Sequence, residues 1–229
     1  MRVAILGGSG GIGGHLLTWA LESGHEVMAL VRDPAALAGK YPADTAAAAL
    51  GGRSAAGQAG TAADLTLVTG DATDASAVQA TVDGADAVLS ALGPRGTKTP
   101  GLLGTAAANL VTAMEKTGAR RVICVSAAGP FIGDDPDMGR LIKLILPRVF
   151  ATPFADTREM EAVIGATSLD WTMVRASRLT DKPGTGRYRV RPDYTPAGGG
   201  KIARADVAHF IEAALTEGSW LRARPALAY

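Results

Sequence analysis

The chain has 229 residues, 47% hydrophobic and 20% charged, with 23 Lys and Arg against 22 Asp and Glu and a formal net charge of +1. That length sustains one sizeable core without forcing a second domain, and the near-neutral balance excludes the strong basicity on which nucleic-acid binding rests. A single cysteine, Cys124, excludes an intrachain disulfide or a cysteine metal cluster and fits a reducing cytoplasm.

The opening apolar run is broken by glycine after six residues, too short for a membrane span, so it reads as a strand over 2–6 and no membrane partner is expected. A helix over about 12–23 follows, with Ile12, Leu16, Leu17 and Ala20 at helical spacing and Gly24 as its left-handed stop. A second strand spans 26–31, and Asp33-Pro34 opens a second helix by capping it and filling its first turn. The alanine- and glycine-rich stretch 41–64 has scarcely any large apolar side chain and reads as a surface loop without chemistry.

Strands over 65–69, 85–91, 121–126 and 171–175 then alternate with helices over 74–82, 101–116, 157–165 and 204–216. Their apolarity is continuous rather than alternating, the pattern of strands covered on both faces, so the fold expected is α/β, a doubly wound parallel sheet. Within 129–156, Leu141, Leu144, Ile145 and Val149 share one helical face, which suits either a lid over a site or a helix packed into the core.

The chemistry concentrates at the first turn, where "GGSGGIGG" places six glycines in eight positions. Buried glycine gives up more chain entropy than any other residue, so such a cluster needs a steric reason. Gly7, Gly10 and Gly13 stand at GxxGxxG spacing between a strand and a helix. A tight turn needs the first, close approach of a pyrophosphate an early one, and helix–strand packing the last, while N–H groups of the helix start face the anion. Ser9, Gly11 and Ile12 complete the candidate cradle, Ser9 either as a phosphate donor or as a small turn residue.

Where a dinucleotide fold reads the adenosine ribose, this chain has Arg32 in "LVRDP", which favours the 2′-phosphate of NADP over the bare hydroxyl of NAD. Asp33 is read as a helix cap. Asp71 in "TGDATD" is either an adenine contact or part of a capped turn, and Ala91, Leu92 and Gly93 leave room where a cofactor would cross the sheet. "GGSGG" also has the letters of a GxSxG nucleophile elbow, but no suitably ordered acid and histidine accompany it, and His15, His25 and His209 are too scattered for a metal site.

Taken in order, "VAILGGSGGIG", "LVRDP", "VTGD", "VICVSAAG", "SLDWTMVRAS" and "IARADVAHFIEAAL" resemble the atypical short-chain dehydrogenase/reductase group that includes NmrA-like proteins and flavin reductases of the biliverdin reductase B type. The resemblance implies a Rossmann-type domain over 1–229 that binds NADP(H), with a small C-terminal substrate-binding region built mainly from about 129–156 and 176–204. It also implies that Ser126 sits beside the nicotinamide as the catalytic residue and that Ala176 and Ser177 pass it. The chain departs from the group's usual tyrosine–lysine pair: the corresponding helix reads "FADTREMEAVIG", with neither residue, and Asp156 and Glu159 have the spacing of an N-cap pair.

Eight basic residues against two acids between Arg175 and Arg204 can attract an anionic small molecule, and the alternation of Arg187, Arg189 and Arg191 equally suits the wet face of an edge strand. Three readings of the whole follow. One is an NADPH-dependent reductase handing hydride to a flavin- or quinone-like acceptor; the second is a non-catalytic NmrA-like sensor of NADP(H); the third is a non-redox isomerase or cyclase on the same fold.

Overall fold

Both faces of the expected strands are covered, as their unbroken apolarity requires. The computed structural model describes residues 1–38, 65–93 and 101–229, and the loop expected over 41–64 lies outside them. The strands are β1 (Arg2–Leu6), β2 (Glu26–Val31), β3 (Leu65–Thr69), β4 (Ala87–Ser90), β5 (Arg121–Ala127), β6 (Asp170–Ala176), β7 (Arg178–Thr180), β8 (Arg189–Pro192), β9 (Lys201–Ala203) and β10 (Pro225–Ala228). Eight of them form one sheet in the order β3-β2-β1-β4-β5-β6-β10-β8, parallel except for β8, while β7 and β9 pair separately. The Arg189 and Arg191 alternation therefore falls on an edge strand.

Helices α1 (Gly11–Glu22) and α7 (Arg204–Thr216) cover one face. Helices α3 (Ala75–Val82), α4 (Leu102–Thr117) and α6 (Ala151–Gly165) cover the other, while the short α2 (Ala35–Ala38) follows β2 and α5 (Arg140–Val149) follows a 3₁₀ turn at Gly129–Phe131. The chain order reverses between β1 and β4, and the carboxyl ends of those two strands frame the crevice in which doubly wound sheets hold ligands.

Two expectations are corrected in the 129–165 region. The helix expected over 157–165 starts at Ala151, because Pro153 lies in its first turn, where the missing N–H has no helical partner to lose. Asp156 caps no helix of its own: its buried carboxylate accepts Leu103 N–H at 3.0 Å and Gly104 N–H at 2.9 Å, the first turn of α4. Glu159 packs on Gly104 of the same helix, where a Cβ would stand 2.5 Å from its carboxyl carbon. The N-cap spacing was a coincidence of sequence, since both side chains serve the neighbouring helix.

Helix α5 overturns the core-packing alternative for 129–156. None of its residues is buried, and Leu141 is 68%, Val149 62% and Leu144 54% exposed. Its least exposed positions are Lys143, Leu146 and Pro147, so its amphipathic pattern is turned outward.

Replacing Asp156 with alanine leaves two buried backbone N–H groups without an acceptor and should lower stability by about 1–3 kcal/mol in urea unfolding. Asp156→Asn, which retains one acceptor oxygen, should lose less.

Candidate functional site

The turn between β1 and α1 is tighter than glycine spacing alone conveys. Gly7 has φ +86, and a Cβ there would stand 2.9 Å from the carbonyl carbon and oxygen of Ala91 at the end of β4. A Cβ on Gly13 would fall 2.1 Å from the Gly7 carbonyl oxygen, which itself accepts Gly10 N–H at 3.0 Å. The first and last glycines thus let α1 start directly against the strand end, with Ala91 N–H held by Leu6 O at 2.8 Å.

Helix α1 begins on Gly10 with no side-chain cap, and its first turn contains no acid. Gly14 N–H bonds back to Gly10 O, and the N–H groups of residues 11–13 precede any helical acceptor, so a partial positive charge stands there for an anion. Gly10 and Gly11 are exposed, whereas the Ile12 side chain is buried in the core and can contribute its backbone alone.

A cleft of about 180 Å³ opens at this turn, lined by Gly7, Ser9, Gly10, Arg32, Ala91, Leu92 and Gly93 among the residues singled out from sequence. Leu30, Val31, Gly70, Ala72 and Leu102 complete its wall. Gly70 was not singled out from sequence, although it lies within "VTGD", and a Cβ there would meet the Ala77 side chain at 2.4 Å; Leu102 carries no local signal at all. Arg32 is exposed at the end of β2, and no hydrogen bond or ion pair to another described residue engages it. Asp71 lies between two lining residues, yet its carboxylate accepts Thr73 N–H at 3.0 Å and Thr73 Oγ1–H at 2.9 Å, holding the turn into α3, which Asp74 caps.

Gly11 and Gly13 do not line this cleft. Gly11 instead carries Arg204, whose Cδ would be 2.5 Å from a Cβ at Gly11 and whose guanidinium pairs with the exposed Asp181. Arg204 appeared in the sequence only as one cation of a basic stretch.

Ser126, Ala176 and Ser177 lie apart from the glycine turn, at the carboxyl ends of β5 and β6. Ser126 is 6% exposed, and its hydroxyl donates to Glu161 Oε1 at 2.6 Å. Glu161, on α6, also receives Arg175 Nε and Nη2 at 3.0 and 2.7 Å and Arg224 Nε at 3.2 Å. An arginine amid the apolar "WTMVRA" had to find a carboxylate, because an unpaired charge at that depth is far too costly. Ala176 O accepts Ala128 N–H and Ser177 N–H bonds Leu227 O, so both backbones are partly committed to the fold, while Ser177 Oγ is buried with no hydrogen-bond partner among the described residues.

A second cavity, of about 350 Å³, adjoins the Glu161 cluster. Phe131 and Asp134 from the first expected substrate segment meet Asp193 and Tyr194 from the second, and Arg158, Glu161, Arg175 and Arg224 close the wall. Arg175 stacks over Phe131 with its guanidinium carbon 3.5 Å from the ring centre. Thiol chemistry has no place nearby: burial pushes Cys124 up to about 12, leaving it protonated and inert at neutral pH.

Removing the carboxylate at Glu161 strands two arginines and should cost about 3–5 kcal/mol in urea unfolding, the scale for breaking a buried pair. Glu161→Gln, which keeps the acceptor oxygen for Ser126, should lose less than Glu161→Ala.

Comparison with known proteins agrees with this geometry. A family model described as NAD(P)H-binding matches residues 7–218. Among solved structures, a wide-type short-chain dehydrogenase/reductase from Veillonella parvula DSM 2008, in complex with NADP, superposes with TM-score 0.76 at 20% identity, covering 100% of this chain and 94% of that one. ChuY, an anaerobillin reductase from Escherichia coli O157:H7, gives TM-score 0.75 at 22% identity, covering 100% and 97%. A candidate NADH-flavin reductase from Streptococcus pneumoniae TIGR4 gives 0.70 at 20%, covering 100% and 99%. With the glycine turn, the switch-point cleft and this match over most of its length, the chain belongs to the NAD(P)H-binding family.

Proposed function

We propose that the protein is a reductase that takes NADPH and passes hydride to a flat, conjugated small molecule of the flavin or quinone kind. The observation that carries the reading is the uncapped start of α1 facing a cleft built from the ends of β1, β2, β3 and β4. A dinucleotide fits that arrangement: the N–H groups of residues 11–13 receive the diphosphate, Gly7 and Gly13 allow the close approach, and Arg32 is available for a 2′-phosphate. The Ser177 hydroxyl, buried without a partner among the described residues at the end of β6, supports a polar ligand group there.

When bound, the nicotinamide supplies the hydride. The chain's own residues bind and orient. Arg158 and Arg224 favour an acceptor bearing an anionic group in the cavity beside α6, and Phe131 and Tyr194 offer it aromatic walls. Helix α6 carries no tyrosine and no lysine, so the acceptor is one whose reduced form needs little protonation by the enzyme, or takes its proton from water. Ser126 acts here as a positioning residue, steadying Glu161 and through it the arginine wall, rather than as a group on the nicotinamide.

One observation favours the sensor reading: the single hydroxyl at the expected catalytic position is spent on Glu161. Purified protein mixed with NADPH and free flavins or soluble quinones should lose NADPH absorbance with turnover. Tight NADPH binding with no acceptor consuming it overturns the reductase in favour of the sensor, or of a reaction without net oxidation.

Arg32→Ala should weaken NADP(H) by about 1–3 kcal/mol, the scale of charge-assisted hydrogen bonds, and leave NAD(H) nearly unchanged. Equal losses for both cofactors would remove Arg32 from the site. Ser126→Ala should raise KM for the acceptor while NADPH affinity holds; a drop in kcat at constant KM would return Ser126 to the nicotinamide.

A further inference from the structure

Helix α5 is built back to front for a helix that belongs to a globular surface. Such helices bury an apolar stripe and wet a polar one, whereas α5 exposes Leu141, Ile142, Leu144, Ile145 and Val149, each between 48% and 68%. The patch continues onto Phe150, 37% exposed and stacked on Phe154 at 5.6 Å between centroids. Clustered apolar exposure of this kind on a soluble domain marks a surface that something covers.

Charge identifies the occupant. The helix carries Arg140, Lys143 and Arg148, and no aspartate or glutamate lies between Asp137 and Asp156. Those two bracketing acids are spent, Asp137 on Arg191 and Asp156 on the start of α4. Cations beside an exposed Leu/Ile/Phe face are the composition of helices that lie in the headgroup region, apolar side in the acyl boundary and basic side chains reaching the phosphates.

A second copy of the chain is the poorer occupant. One ten-residue helix offers a patch of a few hundred Å² at most, against about 800 Å² per partner in a stable dimer. Two-fold pairing would also bring the same three cations toward their own copies.

We propose that α5 docks the protein on an anionic lipid surface. No helix among the described residues is long and apolar enough to cross a membrane, so the contact is peripheral, with α5 lying in the interface. Because α5 packs mainly on α6 and the 3₁₀ turn among the described residues, and both of these wall the second cavity, docking sets that cavity beside the headgroup layer. The proposal rests on the helix alone and stands whether or not the protein turns over NADPH.

The test is co-flotation of the full chain with vesicles of phosphatidylglycerol and phosphatidylcholine, or of phosphatidylcholine alone, with light scattering of the protein in solution. Binding to the anionic vesicles, absent on the zwitterionic ones and released by salt, is the expected result. Leu141→Glu with Ile145→Glu should abolish it without lowering Tm or NADPH binding, since neither side chain is buried. Arg140→Ala with Arg148→Ala, the two exposed cations of the helix, should reduce partition about 30-fold, the factor for about 1 kcal/mol per cation. No binding to anionic vesicles overturns the proposal, as does a solution dimer that the glutamate pair splits into monomers.

Discussion

The structure depends on how closely α1 approaches the end of β1. With 2.1 Å between the Gly7 carbonyl oxygen and the place where a Gly13 Cβ would be, the helix starts where no side chain allows, and its first N–H groups open beside the β1–β4 switch point. The positive φ of Gly7 and its contact with Ala91 fix the second boundary of the same crevice. A ligand group meeting that turn meets backbone amides, with Ser9 in the cleft wall and Arg204 against Gly11, which suits a charged, oxygen-rich group.

The sheet and its alternation were legible because they are written locally. The continuous apolar runs became parallel strands, "LVRDP" put Arg32 at the end of β2, and Asp74 caps α3 through Ser76 and Ala77 N–H as its position required. What stayed hidden involves residues distant in sequence. Asp156 looked like a cap for its own helix because the local spacing fits, yet the N–H groups it accepts from lie on α4, more than fifty residues earlier. Leu102 enters the cleft wall by packing alone. The apolar periodicity of 140–149 foretold a helix correctly, but periodicity states which side is greasy and leaves open whether that side faces the protein or the outside.

Glu161 organises the wall of the second cavity. It gathers Ser126 from β5, Arg175 from β6 and Arg224 from the approach to β10, so the carboxyl ends of β5 and β6 and the start of β10 are referenced to one buried carboxylate. The same charge that stabilises this junction commits the Ser126 hydroxyl. On the reductase reading proposed above, a site with that hydroxyl committed and no tyrosine–lysine pair on α6 contributes orientation and electrostatics and leaves proton supply to the substrate or solvent, which suits conjugated acceptors that stabilise their own reduced forms.

In the function proposed here the bare turn between β1 and α1 receives the diphosphate of a nicotinamide dinucleotide. Backbone amide resonances followed during titration with NADPH test it most directly. Large, saturable shifts at Gly10, Gly11, Ile12 and Gly13, together with Gly7 and Ala91, are the predicted result. Titration to saturation with those amides unmoved, or no titration at all, would contradict it.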